Sequence, residues 1–167
     1  MLRRFRLHVL STLIAAISVN SCSPPVPRTP LPPPSSIPAG SVEARIVSYA
    51  NASRSAAGRK ALERDAVLDS LALEHARETM RLGRMGHSGM QGRFSRANQQ
   101  MGALMFGENV HAVPPGRDPA RRLVEEWMAS KVHRNNLLSG AFNKTGVGSI
   151  SDSAGTIWAV QVFAAAP

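Results

Sequence analysis

Apolar side chains recur every three or four residues in three stretches of the chain, which is the spacing of a helix with one buried stripe. The first carries Val42, Ile46, Tyr49 and Ala50 behind Ser41, a capping residue, and stops at Gly58. The second runs over 67–82, with Leu68, Leu71, Ala72, His75, Ala76 and Met80 on one stripe. The third opens at Asp118-Pro119, a cap followed by a first-turn proline, carries Leu123, Val124, Trp127 and Met128, and ends near Val132. A shorter helix is predicted over 95–101 and a turn over 133–139. Strands are read over 145–150 and 156–163, rich in Val, Ile, Trp and Phe and separated by Ser151-Asp152-Ser153-Ala154-Gly155. Leu104-Met105-Phe106 leads through Gly107-Glu108-Asn109 into Val110 as a strand or an ordered loop entering one. Several helices with a small antiparallel sheet make an α+β arrangement.

The first forty residues break this pattern. Arg3, Arg4 and Arg6 precede a mostly apolar run over 7–19, the layout of a secretory signal peptide and too short for a typical membrane-spanning helix. Cys22 is the only cysteine of the 167 residues. Behind Val19-Asn20-Ser21 it resembles the lipidation site of bacterial lipoproteins, with Asn20 a departure from the usual small residue. The expectation is a signal segment over 1–21 and a lipidated Cys22 as the mature N-terminus, so that the membrane is a partner through that lipid. Simple secretion with a spare thiol is the other reading. Eight of the twelve prolines fall within 23–40, so 22–40 reads as a stiff, extended tether and 41–167 as the folded domain.

Charge changes meaning once it is divided this way. The whole chain is +9, but four arginines and no acid precede residue 41, which leaves the domain at +5 with 16 basic and 11 acidic residues. Aromatic residues are 5% of the chain, and arginines alternate with glutamates, as in Glu74, Arg77, Glu78 and Arg81. That is a solvated face, not a nucleic-acid surface. A single cysteine excludes a disulfide framework, a cysteine zinc finger and an iron–sulfur site within the chain.

The remaining candidates for chemistry fall in a characteristic order: Asn51-x-x-Arg54, Gly86-His87-Ser88, Gly107-Glu108-Asn109-Val110, Trp127-x-x-Ser130-x-x-His133-Arg134-x-Asn136-Leu137-Leu138, Gly146-Val147-Gly148, and Val160-Gln161-x-Phe163. Over 42–163 this succession resembles the CAP superfamily (cysteine-rich secretory proteins, antigen 5 and plant pathogenesis-related proteins), in its bacterial SCP-like branch. The resemblance implies a three-layer α–β–α sandwich with a small antiparallel sheet. It also implies a central cleft that, in animal and plant members, holds two histidines and two acidic residues. His87, Glu108 and His133 match three of these by motif. Ser130 stands where the second glutamate is expected.

His87, Glu108 and His133 lie 21 and 25 positions apart, a spacing that no local metal motif uses. Brought together by the fold, two imidazoles and a carboxylate suit Zn²⁺ or another divalent metal, or acid–base work. Structural roles stand beside these: His87 holding the glycine-rich loop, Glu108 accepting backbone N–H groups, and His133-Arg134 at the end of a helix. His75 reads as a core histidine, and His111 as a further candidate to line the cleft. Met80, Met85, Met90, Met101 and Met105 read as core filling, with a pliable groove for lipid as the alternative. There is no His-Glu-x-x-His helix and no Gly-x-Ser-x-Gly elbow, so no particular hydrolase is indicated. Three expectations follow: an envelope-anchored, non-enzymatic binding module whose ligand is an apolar or anionic envelope component; a metal-dependent hydrolase of peptide or envelope polymer; or an adhesion module with a vestigial cleft.

Overall fold

The computed structural model describes residues 30–31 and 40–167. The expected signal segment 1–21, Cys22 and most of the expected tether lie outside the described residues. Five helices, α1 (Val42–Ala56), α2 (Ala66–Leu82), α3 (Met90–Met101), α4 (Pro119–Ala129) and α5 (Lys131–Leu138), pack around four strands. The strands are β1 (Glu63–Arg64), β2 (Met105–Val113), β3 (Lys144–Ser151) and β4 (Ile157–Ala165).

The caps read from the sequence at Ser41 and Asp118 are in place, and Asp65 supplies a third that was not read. The Ser41 side chain accepts from Ala44 N–H, that of Asp65 from Val67 and Leu68, and that of Asp118 from Arg121. Gly83 closes α2 in the left-handed region, at φ 62°. In the sheet the order is β1-β3-β4-β2, with β3–β4 and β2–β4 antiparallel and β1 parallel to β3. Alternation along the strands divides the core into two layers. Val113, Val147, Ala159 and Phe163 face Ile46, Tyr49, Leu123 and Trp127 on one side. Val110, Val160 and Val162 face Leu68, Leu71 and Ala97 on the other. The architecture is an α–β–α sandwich.

Four details differ from the sequence reading. The segment 133–139 is mostly α5, not a turn. α4 ends at Ala129, because Ser130 takes an extended conformation (φ −81°, ψ 127°) that turns the chain into α5. α3 begins at Met90, five residues earlier than predicted. The sheet also gains the two-residue parallel strand β1, so it is mixed at one edge. In addition, Leu31, inside the expected tether, packs against the α1–α4 layer of the core.

Gly146 and Gly148 set how closely α2 lies on β3. A Cβ at either would sit 2.1 Å from backbone of α2, at Leu68 and Leu73 respectively. Helix and strand therefore touch backbone to backbone along Gly146-Val147-Gly148, and Asp69 uses the approach to accept the Val147 N–H at 2.8 Å.

Candidate functional site

The site gathers at the outer edge of the sheet, where β2 has no strand beyond it. Glu108 is near the middle of β2, and its side chain is completely buried. It faces the α2–α3 side, as Val110 does. His87 comes from the glycine-rich connection between α2 and α3, with its side chain 45% exposed. Its Nδ1 lies 3.3 Å from Glu108 Oε2. A carboxylate oxygen can only accept, so Nδ1 carries the proton toward Glu108.

A third partner, unread in the sequence, dominates this pair. Arg93, in the first turn of α3, is buried and donates from Nε to Glu108 Oε1 at 2.5 Å and from Nη2 to Oε2 at 2.9 Å. Its Nη1 donates to the Ser88 carbonyl at 2.9 Å, which ties the His87 loop to the same guanidinium. His75 works from the other side. Buried as expected, it donates from Nε2 to the Gly86 carbonyl at 2.8 Å, and its Nδ1 lies 3.2 Å from Glu78. Its Nε2 is also 3.9 Å from Glu108 Oε2. The core-histidine reading thus stands, with the addition that His75 positions the loop bearing His87.

Burial pushes the Glu108 carboxyl upward, but the bonds from His87 and Arg93 and the Arg93 charge outweigh it and hold the group below its ordinary range. It is an ionised, satisfied carboxylate. His133 moves downward, first through burial and then through the nearby positive charge of His87 and His111. His87 and His111 therefore lie within electrostatic range of His133.

His133 is placed by its backbone. Asn109 Nδ2 donates to the His133 carbonyl at 3.0 Å, while Asn136 Nδ2 donates to the Glu108 carbonyl at 3.0 Å and to Asn109 Oδ1 at 3.1 Å. The two asparagines lace α5 onto the free edge of β2. Gly107 leaves room for this, since a Cβ there would meet Phe142 at 3.1 Å and Asn136 at 3.4 Å. Ser130 is at the α4–α5 corner, and its hydroxyl bonds to none of His87, Glu108 and His133. The fold thus joins His87 directly to Glu108, brings His133 within electrostatic reach, and leaves Ser130 as a hinge between helices.

The sequence model of the Cysteine-rich secretory protein family, CAP, matches residues 47–163. The chain belongs to the CAP family. Among solved structures it is similar to an extracellular protein containing an SCP domain from Bacillus anthracis, at 23% identity and a TM-score of 0.61 over 74% of this chain and 40% of that one. It is also similar to an outer surface protein of Borrelia burgdorferi (18% identity, TM-score 0.63, 73% and 90% of the two chains). A third is venom allergen-like protein 4 of Schistosoma mansoni (12%, TM-score 0.59, 77% and 91%). These likenesses establish the CAP fold. Among curated proteins, none matches the chain.

The divalent metal expected from the donor types would need Glu108, His87 and His133. In this arrangement they do not fit one. Both Glu108 oxygens accept from Arg93, Oε2 accepts from His87 as well, and a cation is already lodged against the carboxylate. Among the described residues, no three His, Cys, Asp or Glu side chains are disposed to hold a metal ion.

Proposed function

We propose that this protein is an exported, envelope-anchored CAP domain that binds an anionic envelope ligand at its cleft without performing chemistry on it. The observation that carries the reading is the Arg93–Glu108 pair. A general base must be free to take a proton, and a carboxylate chelated by a guanidinium and held below its ordinary range is a poor one. Ser130, in place of a second acid, supplies no substitute. What the cleft offers outward is imidazole, from His87, His111 and His133, on a domain of net charge +5. Such a surface attracts phosphate or carboxylate groups. Export is supported by the basic and apolar start of the chain and by relatives described as extracellular or outer-surface proteins. Anchoring rests on Cys22.

Two measurements test this. In cells, Cys22→Ser should move the protein from the membrane fraction to the soluble one, and unchanged partitioning removes the anchor. The soluble Cys22→Ser protein should float with phosphatidylglycerol vesicles but not with phosphatidylcholine vesicles. Its binding should weaken with added salt and fall roughly tenfold in His87→Ala/His133→Ala, as expected for about 1.4 kcal/mol of lost interaction. Equal flotation of parent and double variant refutes the cleft as the binding site. Turnover of a peptide or cell-wall polymer that Glu108→Gln abolishes refutes the non-enzymatic reading.

A further inference from the structure

Arg93 is in an unfavourable place for a cation. The first turn of a helix carries partial positive charge and favours acids, yet α3 has no acid there, no side-chain cap, and a buried arginine at its fourth residue. Around the guanidinium the fold supplies oxygen: Glu108 Oε1 at 2.5 Å and Oε2 at 2.9 Å, the Ser88 carbonyl at 2.9 Å, and Glu78 Oε2 at 3.9 Å. The connection also comes in close. Gly89 turns at φ 73°, and a Cβ there would stand 3.2 Å from Arg93 Nη1. Two carboxylates and a carbonyl surrounding one position are donors of the kind a hard divalent cation takes, with Glu78 the most distant of them. Here that position is filled by a side chain of the protein itself.

We propose that Arg93 is the resident cation of the cleft: its guanidinium occupies an oxygen-lined cation position beside Glu108, so the cleft is held together without metal, and removing the side chain uncovers a site for a hard divalent ion. His87 is then a group oriented by Glu108 through Nδ1. Arg93 holds this position whichever molecule the cleft binds.

The test titrates Mn²⁺ into the whole protein, followed by calorimetry and by the loss of the free-ion resonance signal. Wild type should bind no Mn²⁺ at millimolar concentration. Arg93→Ala should lower the melting temperature by on the order of 10 °C, as expected when a buried ion pair loses one partner. The variant should then bind Mn²⁺ at least about tenfold more tightly than wild type and recover part of the lost melting temperature, since a ligand that binds only the folded state stabilises it. Millimolar guanidinium should restore stability in the same way, and Glu78→Gln on the Arg93→Ala background should weaken the Mn²⁺ effect. Should Arg93→Ala not fold alone, its refolding yield with and without Mn²⁺ or guanidinium reads the same point. Recovery with Mn²⁺ supports the proposal; recovery with guanidinium alone, or with neither, overturns it. A folded Arg93→Ala with wild-type affinity for Mn²⁺ also overturns it. So does wild-type binding of Mn²⁺ or Zn²⁺ that Glu108→Gln removes.

Discussion

Several buried polar side chains of this domain hold loops, and Arg54 shows how completely. Its guanidinium donates to the carbonyls of Lys60, Leu137 and Ser139 at 2.8 Å, and lies 3.4 Å from that of Phe142. Among the described residues no carboxylate answers it. Asn51, one helical turn earlier, both donates to and accepts from the backbone of Leu62. The Asn51-x-x-Arg54 motif is therefore a staple that joins the end of α1 to the segments around 60–62 and 137–142. A lysine at 54 presents one point charge where a planar fork serves several carbonyls. Arg54→Lys should cost about 2 kcal/mol through carbonyls left unsatisfied, read as a lower urea midpoint at unchanged slope. At this scale the sequence order pointed to His87, Glu108 and His133 because histidine and carboxylate carry chemistry by type. Arg93 was illegible because its role arises only from meeting Glu108 across 15 residues and two elements. It was further hidden by lying beside four glycines, in a stretch read as loop.

Among the elements, those with a strong apolar period and a cap were legible, and those defined by pairing or by one bent residue were not. α1 and α4 have both signals, with starts at the caps Ser41 and Asp118, while α2 was read from its period alone and takes its cap from Asp65. α5 has neither. Its sequence KVHRNNLL places one buried residue, Leu137, in eight, and Ser130 makes no side-chain cap. It is helical because Asn109 and Asn136 tie it to β2. β1 is two residues long and exists only through β3. The Gly146-Val147-Gly148 signature was visible as a motif, but its reason is tertiary: α2 approaches to backbone contact, with a Cβ at 148 placed 2.1 Å from Leu73. Gly148→Ala should thus be far worse than a loss of strand entropy would suggest, which would make alanine the better residue. The expected cost is about 3 kcal/mol, the top of the usual range for over-packing, because the obstacle is backbone and cannot rotate away. Gly92→Ala, with open space around it and no positive φ, should change stability by no more than about 0.5 kcal/mol. Thermal melts of the two variants side by side separate close approach from general glycine intolerance.

On the scale of the whole molecule the site couples to acid stability, because its two perturbed groups titrate in different windows. His133 is held below the ordinary histidine value, so the folded state resists a proton that the unfolded chain accepts at about pH 6.5. As pH falls through that value the unfolded state binds more protons, and stability declines until the folded pKa is passed. Glu108 has the same sign for a different reason. Its folded pKa lies below that of the unfolded carboxyl, about 4.3, so the stability it contributes is whole above that pH and is lost as pH falls further. Plotted against pH, the urea midpoint should hold level above about 7, step down from about 6.5, and step down again below about 4.3. Replacing His133 by Gln should erase the upper step and leave the lower one. An upper step that survives in His133→Gln assigns it to another group and removes the burial argument. The lower step should also coincide with the release of α3 and the His87 loop, since Arg93 joins both to Glu108. Hydrogen exchange at Gly89–Phe94 measured through that window should therefore quicken together with loss of the Glu108 charge, while the α1–α4 layer, which has no part in the pair, stays protected until global unfolding.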